Sequence, residues 1–424
     1  MFTAAEAERL IFTLITSIRE TESLDLMAED GDSEPLLGRV LAEPVRSGLD
    51  FPHWDNSAMD GYALRAADVA QVPADLAVVE EIPAGTLPQK VLKPGEAARI
   101  LTGAMMPEGA DAVVMQEETE RDRETVRILQ SAEAGAFVRK RGSFSQVGDV
   151  LLEVGRSLFP AEVALLAAAQ QTQVSVFRRP RVAILSTGSE LVRADVPLQP
   201  GQIVDSNQYA LRSLVAQTGA VPVPLGIIPD DRAAVRDAIA SALTQVDMVL
   251  SSGGVSVGDY DYIDEVLAEL GATLHIRSVA VKPGKPLTVA SFERQPEHQS
   301  AYQPERQSER QIYFGLPGNP ASAMVGFWRF VAPAIAKLSG RVGPHSPTFV
   351  WAEATTDLKA GGRRETYLWG QLSAGENGYL FGRAAGSHSS GNLVNLANTT
   401  GLGVVPQGET LIEKGQRVRV LAIR

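Results

Sequence analysis

The chain of 424 residues contains no cysteine. That excludes disulfides, thiolate metal sites and a cysteine nucleophile at one stroke. Histidine is scarce as well: His53, His275, His298, His345 and His388 are scattered, which argues against a multi-histidine metal cage. Basic residues do not dominate. Lys and Arg number 39 against 51 Asp and Glu, for a net charge of −12. A nucleic-acid footprint or an anionic-lipid surface wants the opposite balance. There is no run of about 18 apolar residues, so no membrane span is expected. The first twenty residues carry glutamates in an amphipathic pattern and no basic leader texture, which points to the cytoplasm. The chemistry must rest on carboxylates, lysines, hydroxyls and backbone amides.

What is present is an ordinary globular composition, 44% hydrophobic and 21% charged, with length for about three domains. Residues 3–20 place Ala7, Leu10, Ile11, Leu14, Ile15 and Ile18 on one helical face, with Thr3 and Glu6 set for a capping box. Residues 36–48 read as a short helix or strand leading into a loop. From 49 to 145, apolar runs at Leu76–Val79, Ala97–Ile100, Ala112–Met115 and Thr125–Ile128 alternate with glycine and proline turns. This is the texture of a small inserted β-domain. Residues 160–171 open with proline and continue as a helix.

Strands then alternate with helices. Strands are expected at Arg181–Leu185, Val221–Leu225, Val246–Leu250, Leu274–Val281 and 312–316. Helices are expected at Gln208–Thr218, Asp230–Leu243 with Asp230 as N-cap, Asp261–Leu270 and Pro320–Leu338. The fold class is therefore α/β plus β: a doubly wound α/β domain, an inserted small β-domain, and a C-terminal all-β module from about 347. The Gln-, Glu- and Arg-rich stretch between Ala290 and Gln311 reads as a solvated hairpin loop.

Open α/β sheets bind ligands beyond the carboxyl ends of their strands. Three polar, glycine-rich loops fall there. They are Ser186-Thr187-Gly188-Ser189-Glu190, then Ser251-Ser252-Gly253-Gly254-Val255-Ser256, then Pro317-Gly318-Asn319-Pro320. In the third, Asn319 stands at an N-cap and Pro320 at the first helical position, leaving free N–H groups for an anion. Lys282 and Lys285, three apart in a proline-stiffened turn, suggest a phosphate or oxyanion site. Asp205, Asp230, Asp231, Asp259 and Asp261 lie close to these loops in sequence, as Mg2+ ligands or as helix caps. By physics alone, 55–63, 102–104 and 386–390 are polar turns.

Taken together, DNSAMDGYA at 55–63, TGA at 102–104, STGSEL at 186–191, SSGGVSVGDYDY at 251–262, KPGKP at 282–286 and LPGNPASA at 316–323 resemble one family over nearly the whole chain. It is the molybdopterin molybdenumtransferase family, MoeA and the gephyrin E-domain. The resemblance implies an elongated four-part protomer that forms a homodimer, with active-site residues from both copies. The parts would be 1–48 with 146–178, 49–145, 179–338 as the molybdopterin-binding (MogA-like) domain, and 339–424 as a β-barrel-like domain. The implied reaction inserts molybdate into the dithiolene of adenylylated molybdopterin, with Mg2+-assisted release of AMP.

By motif position, the resemblance implies catalytic roles for Asp60, Thr102, Glu190, Asp230, Asp261, Lys282 and Lys285, and Mg2+ ligation by Asp230 and Asp261. Substrate binding falls to Ser186, Thr187, Gly188, Ser251, Gly253, Gly254, Ser256, Pro317, Gly318, Asn319, Pro320, Arg363 and Ser387. Two departures stand out. Phe144 replaces an expected acidic residue, and the stretch from Gly362 to Tyr367 is altered after Glu365. The adenylyltransferase that makes the adenylylated pterin is one alternative, and it resembles the α/β domain only. A non-catalytic gephyrin-like scaffold is the other. An adenylyltransferase and molybdoenzyme maturation proteins are the expected partners.

Overall fold

The computed structural model describes residues 1–28, 36–254, 262–293, 310–386 and 388–423. The chain divides into two compact units. One comprises Met1–Glu43, Val154–Phe159 and Gln173–Arg424; the other comprises Pro44–Glu153 and Pro160–Thr172.

The larger unit begins with helix α1 (Ala4–Leu14), whose capping box forms as read: Thr3 Oγ1 accepts from the Glu6 N–H while Glu6 accepts from the Thr3 N–H. The helix is shorter than its apolar periodicity. It stops at Leu14 because Ile15 turns extended (φ −95°, ψ 120°), yet Ile15 and Ile18 stay buried. The chain is captured there by a later helix, with the Ile18 N–H donating to Leu338 O and Ser17 Oγ to Lys337 O.

The α/β domain follows: β1 (Arg181–Thr187), α2 (Ser206–Gln217), β2 (Val221–Ile228), α3 (Arg232–Leu243), β3 (Met248–Ser252), α4 (Tyr262–Glu269), β4 (Thr273–Ser278), β5 (Pro286–Glu293) and β6 (Arg310–Leu316). The sheet order is β2-β1-β3-β6-β5-β4. The first four strands are parallel, and β5 runs antiparallel to both its neighbours. Both faces are covered, as a parallel sheet requires. Val182 and Ile184 pack toward α1 and the helix after β6, while Ala183 and Leu185 face α3 and α4. The N-cap of α3 is Asp231, which accepts from the Ala234 N–H, and not Asp230 as its sequence suggested. The helix at 320–338 forms as α5 (Pro320–Gly326) and α6 (Ala332–Leu338), joined by a π-helical turn at Phe327–Val331. Pro333 lacks the N–H that would continue a regular α ladder through that turn.

The C-terminal module is a closed barrel of β7 (Phe349–Ala354), β8 (Glu365–Gly375), β9 (Gly378–Arg383), β10 (Gly401–Val405) and β11 (Arg417–Ala422). The order β8-β9-β7-β11-β10 returns to β8, which pairs with both β9 and β10. Closure removes every free edge among these five strands. The short strand Val281–Lys282 adds alongside β8, so the lysine turn of the α/β domain is carried onto the barrel.

The smaller unit holds a six-stranded sheet in the order 112–115, 61–64, 96–100, 74–82, 125–128 and 119–122. The expected runs are all strands. The turn reading of 55–63 needs correction, since Asn56–Ser57 and Gly61–Leu64 are strands and Tyr62 and Ala63 are buried. Gly61 is needed there: a Cβ would lie 1.9 Å from Val114 O. The segment at 36–48 is turn and bridge, with a strand only at Val45–Arg46.

A buried ion pair ties α1 to the larger unit. Arg329, in the π-helical turn, bonds Glu8, and its Nε donates to Tyr367 Oη at 3.0 Å. Glu8→Ala leaves a buried guanidinium without its counter-charge, and urea unfolding should show the larger unit weakened by about 3 kcal/mol.

Candidate functional site

The ends of β1, β3 and β6 are in register: Ser186 pairs with Ser252, and Ser252 with Leu316. The three loops named from sequence therefore emerge side by side. A cavity of about 640 Å3 spans them. Thr187, Gly188, Glu190, Gly253, Gly254, Gly318, Asn319 and Pro320 line it, and Asp230 joins from the end of β2. Four strands at about 4.8 Å spacing make a cradle about 14 Å across.

Glycine is a steric requirement here. At Gly253 (φ +90°) a Cβ would stand 2.3 Å from Thr187 O, and at Gly254 (φ +66°) 2.8 Å from Thr187 Oγ1. Asn207 fastens the floor: its Nδ2 donates to Ser252 Oγ at 2.6 Å and to Gly318 O at 2.8 Å. Several buried atoms have no hydrogen-bond partner among the described residues. They are Ser186 Oγ, Thr187 Oγ1, Asp205 Oδ2 and Asn207 Oδ1. Of their residues, Thr187, Asp205 and Asn207 line the cavity and the nominated Ser186 does not; a buried polar atom left unpaired beside a cavity is a point at which a ligand can bond.

Not every nominated residue reaches the cavity. Ser251 is fully buried and bonds Tyr313 Oη at 2.5 Å within the sheet. Pro317 is buried behind the loop. Ser256, Asp261 and Ser387 lie outside the described residues, as does most of the 291–311 stretch.

A second cavity, of about 510 Å3, lies where the lysine turn meets the barrel. Lys282 and Lys285 line it, and three cations not read from the sequence join them: Lys359, Arg364 and Arg383. None of the five forms an ion pair among the described residues. The arginine at this wall is Arg364, whose Nη1 donates to Val281 O at 3.1 Å; Arg363 is exposed and does not line the cavity. His388 lines it too, stacked on Trp369 at 4.5 Å with its Nε2 2.9 Å from Ala384 O. Burial pushes its imidazole below the usual histidine range. The charge at this cavity therefore comes from lysine and arginine.

The two cavities share a wall. Asn319 and Pro320 line the first and Ser322 the second; Gly391 lines the first and Ser390 the second. The Ala321 N–H donates to Ser390 O at 2.9 Å, closing the partition. The cations missed from sequence had no motif to announce them, because barrel closure brings Lys359 and Arg383 to the lysine turn.

In the smaller unit, the Asp60 Oδ1 accepts from both the N–H and the Oγ1 of Thr102, each at 2.7 Å. These bonds hold the Asp60 carboxyl below the usual carboxylate range. Phe144, the departure from the family pattern, is 74% exposed. Close to it in sequence, the Val147 N–H and then the Arg141 guanidinium hold the Asp50 carboxyl low, and the Arg141 N–H and then Lys140 hold Asp55 low. Among the described residues no group of three or more metal-ligating side chains occurs.

A glycine-lined cradle over four strand ends lies beside a cavity lined by five cations that form no ion pair among the described residues, an arrangement of the class that suits a phosphorylated ligand beside a small oxyanion. Comparison with known proteins gives that class a family. Residues 2–169 match the MoeA N-terminal region (domain I and II), 183–337 a probable molybdopterin binding domain, and 352–423 the MoeA C-terminal region (domain IV). A molybdopterin molybdenumtransferase from Nostoc sp. strain PCC 7120 is 52% identical, covering 99% of this chain and 93% of that protein. Its counterpart in Haemophilus influenzae is 34% identical over 92% of this chain and 91% of its own. The crystal structure of a molybdopterin biosynthesis moeA protein from Pyrococcus horikoshii OT3 superposes with a TM-score of 0.81 at 28% identity, covering all of both chains. The chain belongs to the molybdopterin molybdenumtransferase (MoeA) family.

Because the Thr102 hydroxyl and its backbone N–H both hold Asp60 low, Thr102→Val, which removes the hydroxyl and keeps the N–H, should raise the Asp60 pKa part of the way toward its ordinary value. A depressed folded-state pKa contributes stability above the unfolded value and loses it as pH falls through the folded one. The wild-type contribution should therefore persist to lower pH than in the variant. Carboxyl 13C NMR titration of Asp60 in both proteins checks it.

Proposed function

We propose that the protein transfers molybdate to the dithiolene of adenylylated molybdopterin and releases AMP. The observation that carries this reading is the shared wall between a phosphate-type cradle and a cationic oxyanion cavity. Splitting the pyrophosphate link consumes one water and yields AMP and the pterin's phosphate. As the two substrate sulfurs attach to molybdenum, one oxygen of molybdate leaves as water with the two protons of the dithiol. Neither step needs a protein nucleophile. Both need charge neutralised and groups aligned.

In this reading, backbone N–H groups at Gly188, Gly254 and Gly318, with Thr187, receive the pyrophosphate, while Gly253, whose N–H donates to Leu316 O at 3.2 Å, and Asn319–Pro320, followed by an Ala321 N–H that donates to Ser390 O at 2.9 Å, shape the cavity around it. Lys282 and Lys285 hold molybdate, assisted by Lys359, Arg364, Arg383 and Ser322. Glu190 and Asp230 line the same cavity as the phosphates, which fits Mg2+, a cation that keeps its waters and takes one or two carboxylates plus phosphate oxygens. Asp230 would hold it, with Asp261 as the second expected ligand. Bound there, Mg2+ supplies charge neutralisation on the pyrophosphate. Asp60 and Thr102 are assigned to the active site of the partner copy in a homodimer.

In this reading the protein works in the cytoplasm, receives its adenylylated substrate from an adenylyltransferase and passes the cofactor to maturation proteins. No described helix is long and apolar enough to cross a membrane. An adenylyltransferase needs only the α/β domain and gives no account of the barrel cations. A scaffold gives none of five cations that form no ion pair among the described residues.

Lys285→Ala and Lys282→Ala each remove a charged hydrogen bond worth about 1.5–3 kcal/mol. The molybdate concentration for half-maximal AMP release should rise by about tenfold to a hundredfold, with binding of the adenylylated pterin retained. AMP release at wild-type molybdate concentrations in both variants would remove the lysines from the site. Formation of adenylylated molybdopterin and pyrophosphate from molybdopterin and ATP without molybdate would instead support the adenylyltransferase.

A further inference from the structure

Two buried acceptors on the wall of the glycine-lined cavity have no donor among the described residues. Asp205 is 3% exposed; its Oδ1 accepts from the Gln208 N–H at 3.1 Å as the N-cap of α2, and its Oδ2 has no partner among the described residues. Asn207 is 6% exposed. Its Nδ2 is committed to Ser252 and Gly318, which fixes the amide orientation and leaves Oδ1 without a partner among the described residues. Both residues line the cavity. A carboxylate oxygen and an amide oxygen can only accept, so the ligand must bring donors.

We propose that Asp205 and Asn207 form the recognition edge for the pterin, accepting its ring N–H and the adjacent exocyclic amine. This assignment rests on the functional reading above. A 2-amino-4-oxopyrimidine ring presents two neighbouring N–H donors, which a pair of fixed acceptors matches. The ribose diol of the adenylate also presents two donors, but position separates them. Asn207 is bonded to Gly318, and Gly318 and Asn319 border the wall shared with the cationic cavity. The dithiolene belongs to the pterin half of the substrate and must meet the oxyanion, so the pterin half occupies this side. The adenylate then extends toward the β2 side, where Asp230 lies. A site built to bond N–H groups rejects an analogue lacking them far more strongly than an apolar pocket rejects a methylene.

The full-length protein is titrated with a simple 6-substituted pterin and with the corresponding lumazine, in which oxygen replaces the exocyclic amine. Pterin fluorescence is the readout. AMP and its 2′-deoxy analogue are titrated in parallel. Asp205→Asn keeps an oxygen to cap the Gln208 N–H and presents an amide where Oδ2 stood. Asp205→Ser retains a cap and removes the acceptor, so loss of fold does not confound the result.

Wild type should favour the pterin over the lumazine by about tenfold or more, and both variants should bring that ratio close to one with AMP affinity unchanged. A wild type that binds both pteridines alike, or neither, overturns the proposal, as does a ratio the variants leave intact. Loss of discrimination against 2′-deoxy AMP in the variants moves the residues to the ribose and overturns the pterin assignment. A change confined to the Mg2+ concentration needed for AMP release makes Asp205 a metal ligand instead. If wild type releases no AMP from the adenylylated pterin with molybdate, the functional reading fails, while the pterin-to-lumazine ratio still reads the edge on its own.

Discussion

The side-chain amide of Asn207 is the interaction on which the rest of the site depends. One nitrogen donates to the end of β3 and to the loop after β6, so a residue in the first turn of α2 stitches two strand-end loops together. Strand register alone brings the loops level. It does not fix their heights to within the few tenths of an ångström that backbone N–H groups need around a phosphate. Gly253, close against Thr187 O, completes the arrangement by letting the loop after β3 lie against the end of β1. The described starts of the three loops are thus each tied to a neighbour, through Asn207, the Gly253 N–H to Leu316 O and the close approach of Gly253 to Thr187.

Electrostatics explains the division of labour between modules. The chain carries −12 overall, which repels polyanions at long range. Local fields win at short range, since screening confines the background to about a Debye length of 8–10 Å. The barrel contributes Lys359, Arg364 and Arg383 and the α/β domain Lys282 and Lys285, so the cation density exists only when the two are joined. Val281–Lys282 pairs alongside β8, and that pairing fixes the join. Like charges this close destabilise the empty site, and an oxyanion between them relieves the repulsion. Affinity for the anion therefore draws on strain that barrel closure maintains.

Much of this was legible in the sequence, for reasons that differ by element. Alternating strand and helix patterns, the Thr3–Glu6 capping box and the three glycine loops are local signals, and local signals survive folding. The end of α1 was not legible, because Ile15 and Ile18 keep a helical period while being buried through capture by residues 337–338. Nor was the choice of Asp231 over Asp230 as cap, which turns on one residue of phase. The strand at Gly61–Leu64 hid within a polar stretch, since Tyr62 and Ala63 owe their burial to neighbours more than thirty residues away. Lys359 and Arg383 carry no motif, and Arg363 and Arg364 are adjacent, so only the backbone path decides which one faces the cavity.

The missing cysteines acquire a chemical sense from this site. A protein thiolate near Lys285 would have its pKa lowered by the surrounding cations and would become a competent soft ligand. It would compete with the substrate's own sulfurs for the metal and exchange with them if oxidised. Lysine, arginine and serine bind the oxyanion through its oxygens and leave molybdenum free to change ligands. A site whose positive charge comes from hard, non-coordinating groups can hold molybdate tightly and still surrender it to a dithiolene. Cysteine would blur that distinction, and the chain has none.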